Sequence, residues 1–188
     1  KKTEFSAMSR VITIGAAQLG AIQRSEGRES VVRRMVRLMK LAHERGVTLI
    51  VFPELALTTF FPRWYMENQD EVDQWFETSM PSNETQPLFD AAKRYGMGFY
   101  LGYAEKIEEE GATHHYNTSI LVDSDGDVFA KYRKIHLPGH SEYDPERKFQ
   151  HLEKRYFEVG NLGFPVWRAF KGIVPEQHLG CRRRKGWQ

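Results

Sequence analysis

Apolar positions along this chain fall into short blocks whose spacing changes from one block to the next. Residues 11–18, Val-Ile-Thr-Ile-Gly-Ala-Ala-Gln, are β-branched and apolar, which predicts a strand buried on at least one face. After Ser30, the residues Val31, Val32, Met35, Val36, Leu38, Met39 and Ala42 recur at helical spacing and predict an amphipathic helix, with Gly46 placed to cap its C-terminus. The apolar run 47–52 then completes a strand, helix and strand in the order and lengths of a βαβ unit, so a parallel pair is expected.

Residues 58–85 break this regularity. Thr58-Thr-Phe-Phe-Pro-Arg-Trp precedes an acidic stretch, and Pro62 and Pro81 interrupt any long helix, so an irregular aromatic insertion is predicted. A second helix is expected over 87–95, followed by strands over 97–106, 116–122 and 128–135. Asp123-Ser-Asp-Gly supplies hairpin chemistry between the last two strands. The pattern as a whole predicts one α/β domain of layered helices and sheet.

Composition narrows the function classes. The 188 residues carry 27 Lys plus Arg against 25 Asp plus Glu, a net charge of +2, too small to make the surface a general trap for nucleic acid or anionic membrane. The charge is uneven: from residue 168 onward Arg168, Lys171, Arg182, Arg183, Arg184 and Lys185 face Glu176 alone, giving +5 and leaving −3 on residues 1–167. Such a basic end reads as a solvated tail, and nucleic-acid binding through it ranks lowest because aromatic interleaving stops at Trp187. The single cysteine precludes an intramolecular disulfide, and neither a secretory h-region nor a membrane-length run is read, so a cytoplasmic setting is expected.

Two residues stand where chemistry is expected. Glu54 follows an apolar strand at the sheet edge where α/β folds bind ligands, and apolar neighbours there would disfavour its charged form and move its pKa toward the range useful to a general base. Its alternative is a solvated glutamate just past a strand. Lys134 closes another predicted strand, where a fixed ammonium can stabilise a developing oxyanion. Its alternative is a lysine guarding an exposed sheet edge. His136, two residues on, shares a face with Lys134 if that strand continues. Glu153, if buried, is a second carboxylate that could pair with Lys134 or orient it, holding it charged and in place; its alternative is a residue on a polar helix face or loop. His114, His115, His136, His140 and His151 lack a metal-binding spacing, the His136/His140 pair being split by Pro138 and Gly139, so no metal site is expected.

Three strings together carry a resemblance. Val51-Phe-Pro-Glu-Leu-Ala-Leu-Thr-Thr-Phe-Phe-Pro-Arg-Trp is followed by Lys131-Tyr-Arg-Lys-Ile-His-Leu-Pro-Gly-His. Phe149-Gln-His-Leu-Glu-Lys-Arg-Tyr-Phe comes next, with Leu162-Gly-Phe-Pro-Val behind it. In this order they resemble the N-carbamoyl-D-amino acid hydrolases of the nitrilase, or carbon-nitrogen hydrolase, superfamily. The resemblance covers residues 9–174, read as an incomplete hydrolase domain with a divergent basic tail at 175–188. It implies a nitrilase-like α-β-β-α sandwich, of which this chain supplies largely the first half, usually assembled into homo-oligomers. It also implies a Glu-Lys-Cys catalytic set with no metal and no organic cofactor, acting on a small N-carbamoyl amino acid. By this resemblance Glu54 is the general base, Lys134 the oxyanion-stabilising lysine and Glu153 the supporting carboxylate, while His136 and His151 lie near the substrate.

The resemblance departs after Val174. Where the family presents its nucleophile in Cys-Asn-Asp-Arg-Arg-Trp-Pro-Glu, this chain has Gly180-Cys-Arg-Arg-Arg-Lys-Gly-Trp-Gln, with the cysteine about two residues late. Two readings of Cys181 stand: the nucleophile, its pKa lowered by nearby cations, or a cysteine in an unrelated tail. A truncation or a change of reading frame near Val174 would account for the shift. The second reading carries an alternative function, a catalytically inactive family member that associates with itself or with a full-length homologue.

Overall fold

The computed structural model describes residues 11–147 and 150–170, and the backbone of 172–175. The first half builds the expected βαβ unit. Strand β1 (Ile14–Ala16) is joined by helix α1 (Arg28–His43) to strand β2 (Leu49–Val51), and the two strands pair in parallel with Ile14 beside Leu49. Helix α1 begins at Arg28, before the position suggested by Ser30. Ser30 lies inside the first turn, where its hydroxyl donates to Glu26 at 3.0 Å. Gly46 falls two residues beyond the C-cap Glu44 and takes a left-handed φ of 68°, its N–H bonding the His43 carbonyl.

The insertion carries only a 3-10 turn at Phe61–Arg63 and the short helix α2 (Gln69–Asp73), as its prolines and aromatics predict. Helix α3 (Gln86–Tyr95) follows, with proline in its first turn and Gly96 closing it in the left-handed conformation. Strands β3 (Gly98–Glu109), β4 (Ala112–Val122) and β5 (Val128–Arg133) complete one mixed sheet in the order β1-β2-β3-β4-β5. The pair β2/β3 is parallel, and β3/β4 and β4/β5 are antiparallel. Beyond the sheet lie the one-turn helix α4 (Glu153–Tyr156) and a two-stranded ribbon of β6 (Val166–Ala169) and β7 (Gly172–Pro175).

Alternation along the strands divides the sheet into two faces. On one face Ile50, Phe99, Leu101, Tyr103, Ile120 and Val122 form a single core with Val31, Val32, Met35 and Met39 of α1 and Leu88, Phe89 and Ala92 of α3. The other face carries Leu49, Leu121 and Ala130, against which Trp167 and Phe170 pack. It also carries a second cluster in which Leu55, Phe61, Phe76, Ala104, Leu152 and Phe157 anchor the insertion and α4. No helix among the described residues is long and apolar enough to cross a membrane.

Candidate active site

Two chain reversals bring the charged residues together. After β2, Pro53 and Glu54 lead into Leu55, whose left-handed φ of 49° turns the chain back over the sheet. The turn rests on Gly102 of β3, where an added Cβ would stand 3.1 Å from the Glu54 Cα, and the Ala56 N–H donates to the Gly102 carbonyl at 2.8 Å. A side chain on Gly102 would therefore lift the carboxylate from the sheet.

Lys134 follows directly on β5. Its N–H donates to the Asn117 carbonyl at 2.8 Å, which extends the β4/β5 register by one residue and directs Lys134 to the second face, opposite the helices. Its own carbonyl accepts from the Gly160 N–H at 3.0 Å. Gly160 is required there, because an added Cβ would lie 1.9 Å from the Arg133 carbonyl oxygen. Glu153 opens α4, and the preceding Leu152 N–H donates to the Pro62 carbonyl at 2.8 Å, tying the helix to the aromatic insertion.

These placements converge on one ammonium. Lys134 Nζ donates to Glu54 Oε1 at 2.6 Å and to both oxygens of Glu153 at 3.0 Å. Three N–H groups thus meet three carboxylate oxygens. Lys134 is 2% exposed and Glu153 1%, whereas Glu54 opens toward solvent at 22%. One positive charge faces two carboxylates in a dry site, so full neutralisation needs a proton. Burial pushes the Glu153 carboxyl up to about 7, Lys134 opposing the rise and Glu54 adding to it. The arrangement can hold a proton near neutrality, present a carboxylate to a cavity and offer a fixed positive charge to an oxyanion.

Glu54 lines a cavity of about 270 Å³ together with Leu19, Thr59, Phe60 and Arg63. His151 flanks the trio. Its ring packs edge-on to Phe60 at 5.5 Å, and its Nε2 stands 4.0 Å from Glu153, beyond hydrogen-bond reach. Burial and the neighbouring Lys134 lower its pKa, so at neutral pH the imidazole meets Glu153 uncharged. His136 is placed differently. Because β5 ends at Arg133, the shared strand face expected for Lys134 and His136 does not form, and the exposed His136 ring stacks on Phe164 at 5.7 Å, not on a member of the trio. Cys181 lies outside the described residues.

Sequence reasoning missed two members of the site. Asn117 donates to Glu54 Oε1 at 2.6 Å from the middle of β4. Its signal was a β-disfavoured residue opening a polar run, Asn117-Thr-Ser, directly before the apolar Ile120-Leu-Val that ends the strand. Arg63 sat unread within the aromatic string. Its guanidinium lies 5.8 Å from the Trp64 ring centroid, and no carboxylate partner is seen for it among the described residues.

Comparison with known proteins gives the family and the fold. The family model described as carbon-nitrogen hydrolase matches residues 13–174. An N-carbamoylputrescine amidase of Solanum lycopersicum is 26% identical over 164 residues, covering 86% of this chain and 48% of its own length. A nitrilase of Pyrococcus abyssi is 34% identical over 132 residues, covering 70% and 42%. The chain spans about half the length of the curated relatives it matches. Among solved structures, Nit3 of Saccharomyces cerevisiae superposes with a TM-score of 0.63 at 19% identity, over 87% of this chain and 54% of that one. A carbon-nitrogen hydrolase of Helicobacter pylori G27 gives 0.60 at 24%, over 81% and 46%. These likenesses establish the nitrilase-type α/β fold.

Proposed function

The chain belongs to the carbon-nitrogen hydrolase family, and from that premise we propose that its site hydrolyses N-carbamoyl amino acids, the D-configured ones foremost, to the amino acid, carbon dioxide and ammonia. The observation that carries the reading is the buried Lys134 held between Glu54, which lines the cavity, and Glu153. In this reading Glu54 accepts the proton of the attacking thiol as the sulfur bonds to the carbamoyl carbon. Lys134 offsets the negative charge that develops on the carbamoyl oxygen, and Glu153 keeps the lysine charged and aimed. Collapse of the tetrahedral adduct breaks the C–N bond and expels ammonia, which takes the proton held by Glu54 and leaves a thiocarbamate acyl-enzyme. Water then adds to that carbon, Glu54 taking its proton and returning it to the departing thiolate, and the released N-carboxy amino acid loses carbon dioxide to give the amino acid.

Arg63 supports an anionic substrate. An arginine lining the same cavity as Glu54 suits a substrate carboxylate and opposes a cationic chain such as that of N-carbamoylputrescine, on which the tomato relative is named as acting. The citrullinase of Francisella tularensis, 25% identical over 126 residues, is named for a substrate that carries both a ureido group and a carboxylate.

A second reading is favoured by one surface feature. Val159, Leu162, Phe164 and Val166 are between 42% and 62% exposed along one short segment, an apolar strip suited to association with a second copy or a longer homologue. This reading makes the chain an inactive partner.

Ammonia release from an aromatic N-carbamoyl-D-amino acid separates the two. Turnover that disappears in Glu54→Gln and in Cys181→Ala establishes the hydrolase and assigns the attack to Cys181. Absence of turnover in the unsubstituted chain rejects the hydrolase reading for it, and co-purification with an intact homologue then supports association.

A further inference from the structure

Asn117 touches each member of the charged trio Glu54, Lys134 and Glu153. It is fully buried in β4, on the same face as Lys134 and directly across from Ala104 of β3. Its main-chain carbonyl accepts from the Lys134 N–H, and its side-chain Nδ2 donates to Glu54 Oε1 at 2.6 Å and to Glu153 Oε1 at 3.4 Å. Its Oδ1 is buried and has no hydrogen-bond partner among the described residues.

This orientation is not set by the amide's own needs. Rotating the amide by half a turn would aim Oδ1 at two carboxylate oxygens and bring acceptor against acceptor, so the carboxylates dictate which end faces them. The amide meets that demand by leaving a carbonyl unsatisfied in a dry interior. A residue present only to fill space on a strand face has no reason to accept such an arrangement, since an apolar side chain of the same shape would fill it with no orphaned atom.

The two contacts are also unequal. Lys134 gives Glu54 one short bond at 2.6 Å and Glu153 two longer ones at 3.0 Å, so both carboxylates are bonded to the same ammonium. Asn117 gives Glu54 a short hydrogen bond and Glu153 a long one. A donor bonded to a carboxylate favours its ionised form, so the shorter bond holds Glu54 ionised and leaves the proton of the pair with Glu153. Among the described residues, the other ionisable groups near the pair are Lys134, bonded to both, His151, which lies 4.0 Å from Glu153, and Arg63, which lines the same cavity as Glu54.

We propose that Asn117 is a positioning residue that widens the difference between the two carboxylates begun by their unequal burial, holding Glu54 ionised as the base and keeping the shared proton on Glu153. The inference rests on the reading of Glu54 as a general base, and its test has a readout that does not depend on turnover. Chain labelled with ¹³C at the glutamate carboxyls is titrated by NMR, with Glu54→Gln and Glu153→Gln assigning the two resonances. In Asn117→Ala the midpoint of Glu54 is expected to rise by about one pH unit while that of Glu153 moves less, since each donor to a carboxylate favours ionisation by roughly this amount. Asn117→Leu, which keeps the shape of the amide without its donor, gives the same result where alanine fails to fold. In the active chain, the acid limb of the pH–rate profile shifts upward with the Glu54 midpoint and KM stays unchanged. Superimposable titrations of a folded Asn117 variant and the unsubstituted chain overturn the proposal. Absence of turnover in the unsubstituted chain overturns the hydrolase reading instead and leaves the titration to decide on Asn117.

Discussion

Replacing Glu153 by glutamine removes one of two carboxylates that share a single ammonium, and the effect should reverse its weight with pH. The ordinary glutamate value is 4.5, and burial raises Glu153 to about 7. An acid whose folded-state pKa is raised binds its proton more tightly in the folded chain. Its stabilisation is therefore complete below pH 4.5 and is lost as the pH rises toward 7. At about 1.4 kcal/mol per unit, the change between pH 5 and pH 8 amounts to roughly 2 to 3 kcal/mol. Glutamine mimics the protonated acid and carries no such dependence. Urea unfolding of both proteins at pH 5, 6, 7 and 8 gives the difference directly, since groups common to the two cancel. Stability of Glu153→Gln relative to the unsubstituted chain is expected to climb by roughly 2 to 3 kcal/mol from pH 5 to pH 8. A flat difference would refute the shared-proton reasoning. A fall with pH would show that the attraction of Lys134 outweighs burial and that the carboxyl is ionised in the folded chain throughout.

Two further substitutions probe the surroundings. Arg63→Gln should raise KM for N-carbamoyl amino acids by about 10- to 100-fold through loss of a charge-assisted contact worth about 1.5 to 3 kcal/mol, with Arg63→Lys recovering part of it, whereas equal KM values would remove Arg63 from substrate recognition. Tyr156→Phe removes a hydroxyl that accepts from the Met66 N–H and donates to the Trp64 carbonyl, both at 2.8 Å. Thermal or urea unfolding is expected to show a loss of about 1 to 3 kcal/mol, the range for a buried polar group left without its partner.

The repeating units of the chain were legible because burial leaves a period. The stripe from Val31 to Ala42 and the alternation along β3 each face one partner layer, so sequence spacing alone fixes which side is inward. Boundaries were less legible. The ends of β2 and β5 are set by where their hydrogen-bonded neighbours stop, and the early stop of β5 is what removed His136 from the face of Lys134. Glu54, Lys134 and Glu153 could be picked out as charges beside apolar runs, and the structure brings all three together. Asn117 could not. It is neutral, and it stands on a strand where polar residues normally mark the solvent side, whereas here Asn117, Thr118 and Ser119 are all fully buried. Thr118 bonds Glu105 on the helix side and Asn117 bonds the trio on the other, a division that depends on two layers distant in sequence.

Strand β3 serves both layers in turn. Phe99, Leu101 and Tyr103 belong to the helix-side core, while Gly102 and Ala104, on the alternate positions, carry the Glu54 turn and the insertion. Parity, more than length, is therefore what this strand must conserve. Insertion of one residue between Tyr100 and Ala104 would exchange the two sets beyond that point, putting bulky rings under the Glu54 turn and small residues against α3. Insertion of two residues would restore the inside and outside assignments and cost only a bulge. Evolution or design that lengthens this sheet has to proceed in steps of two.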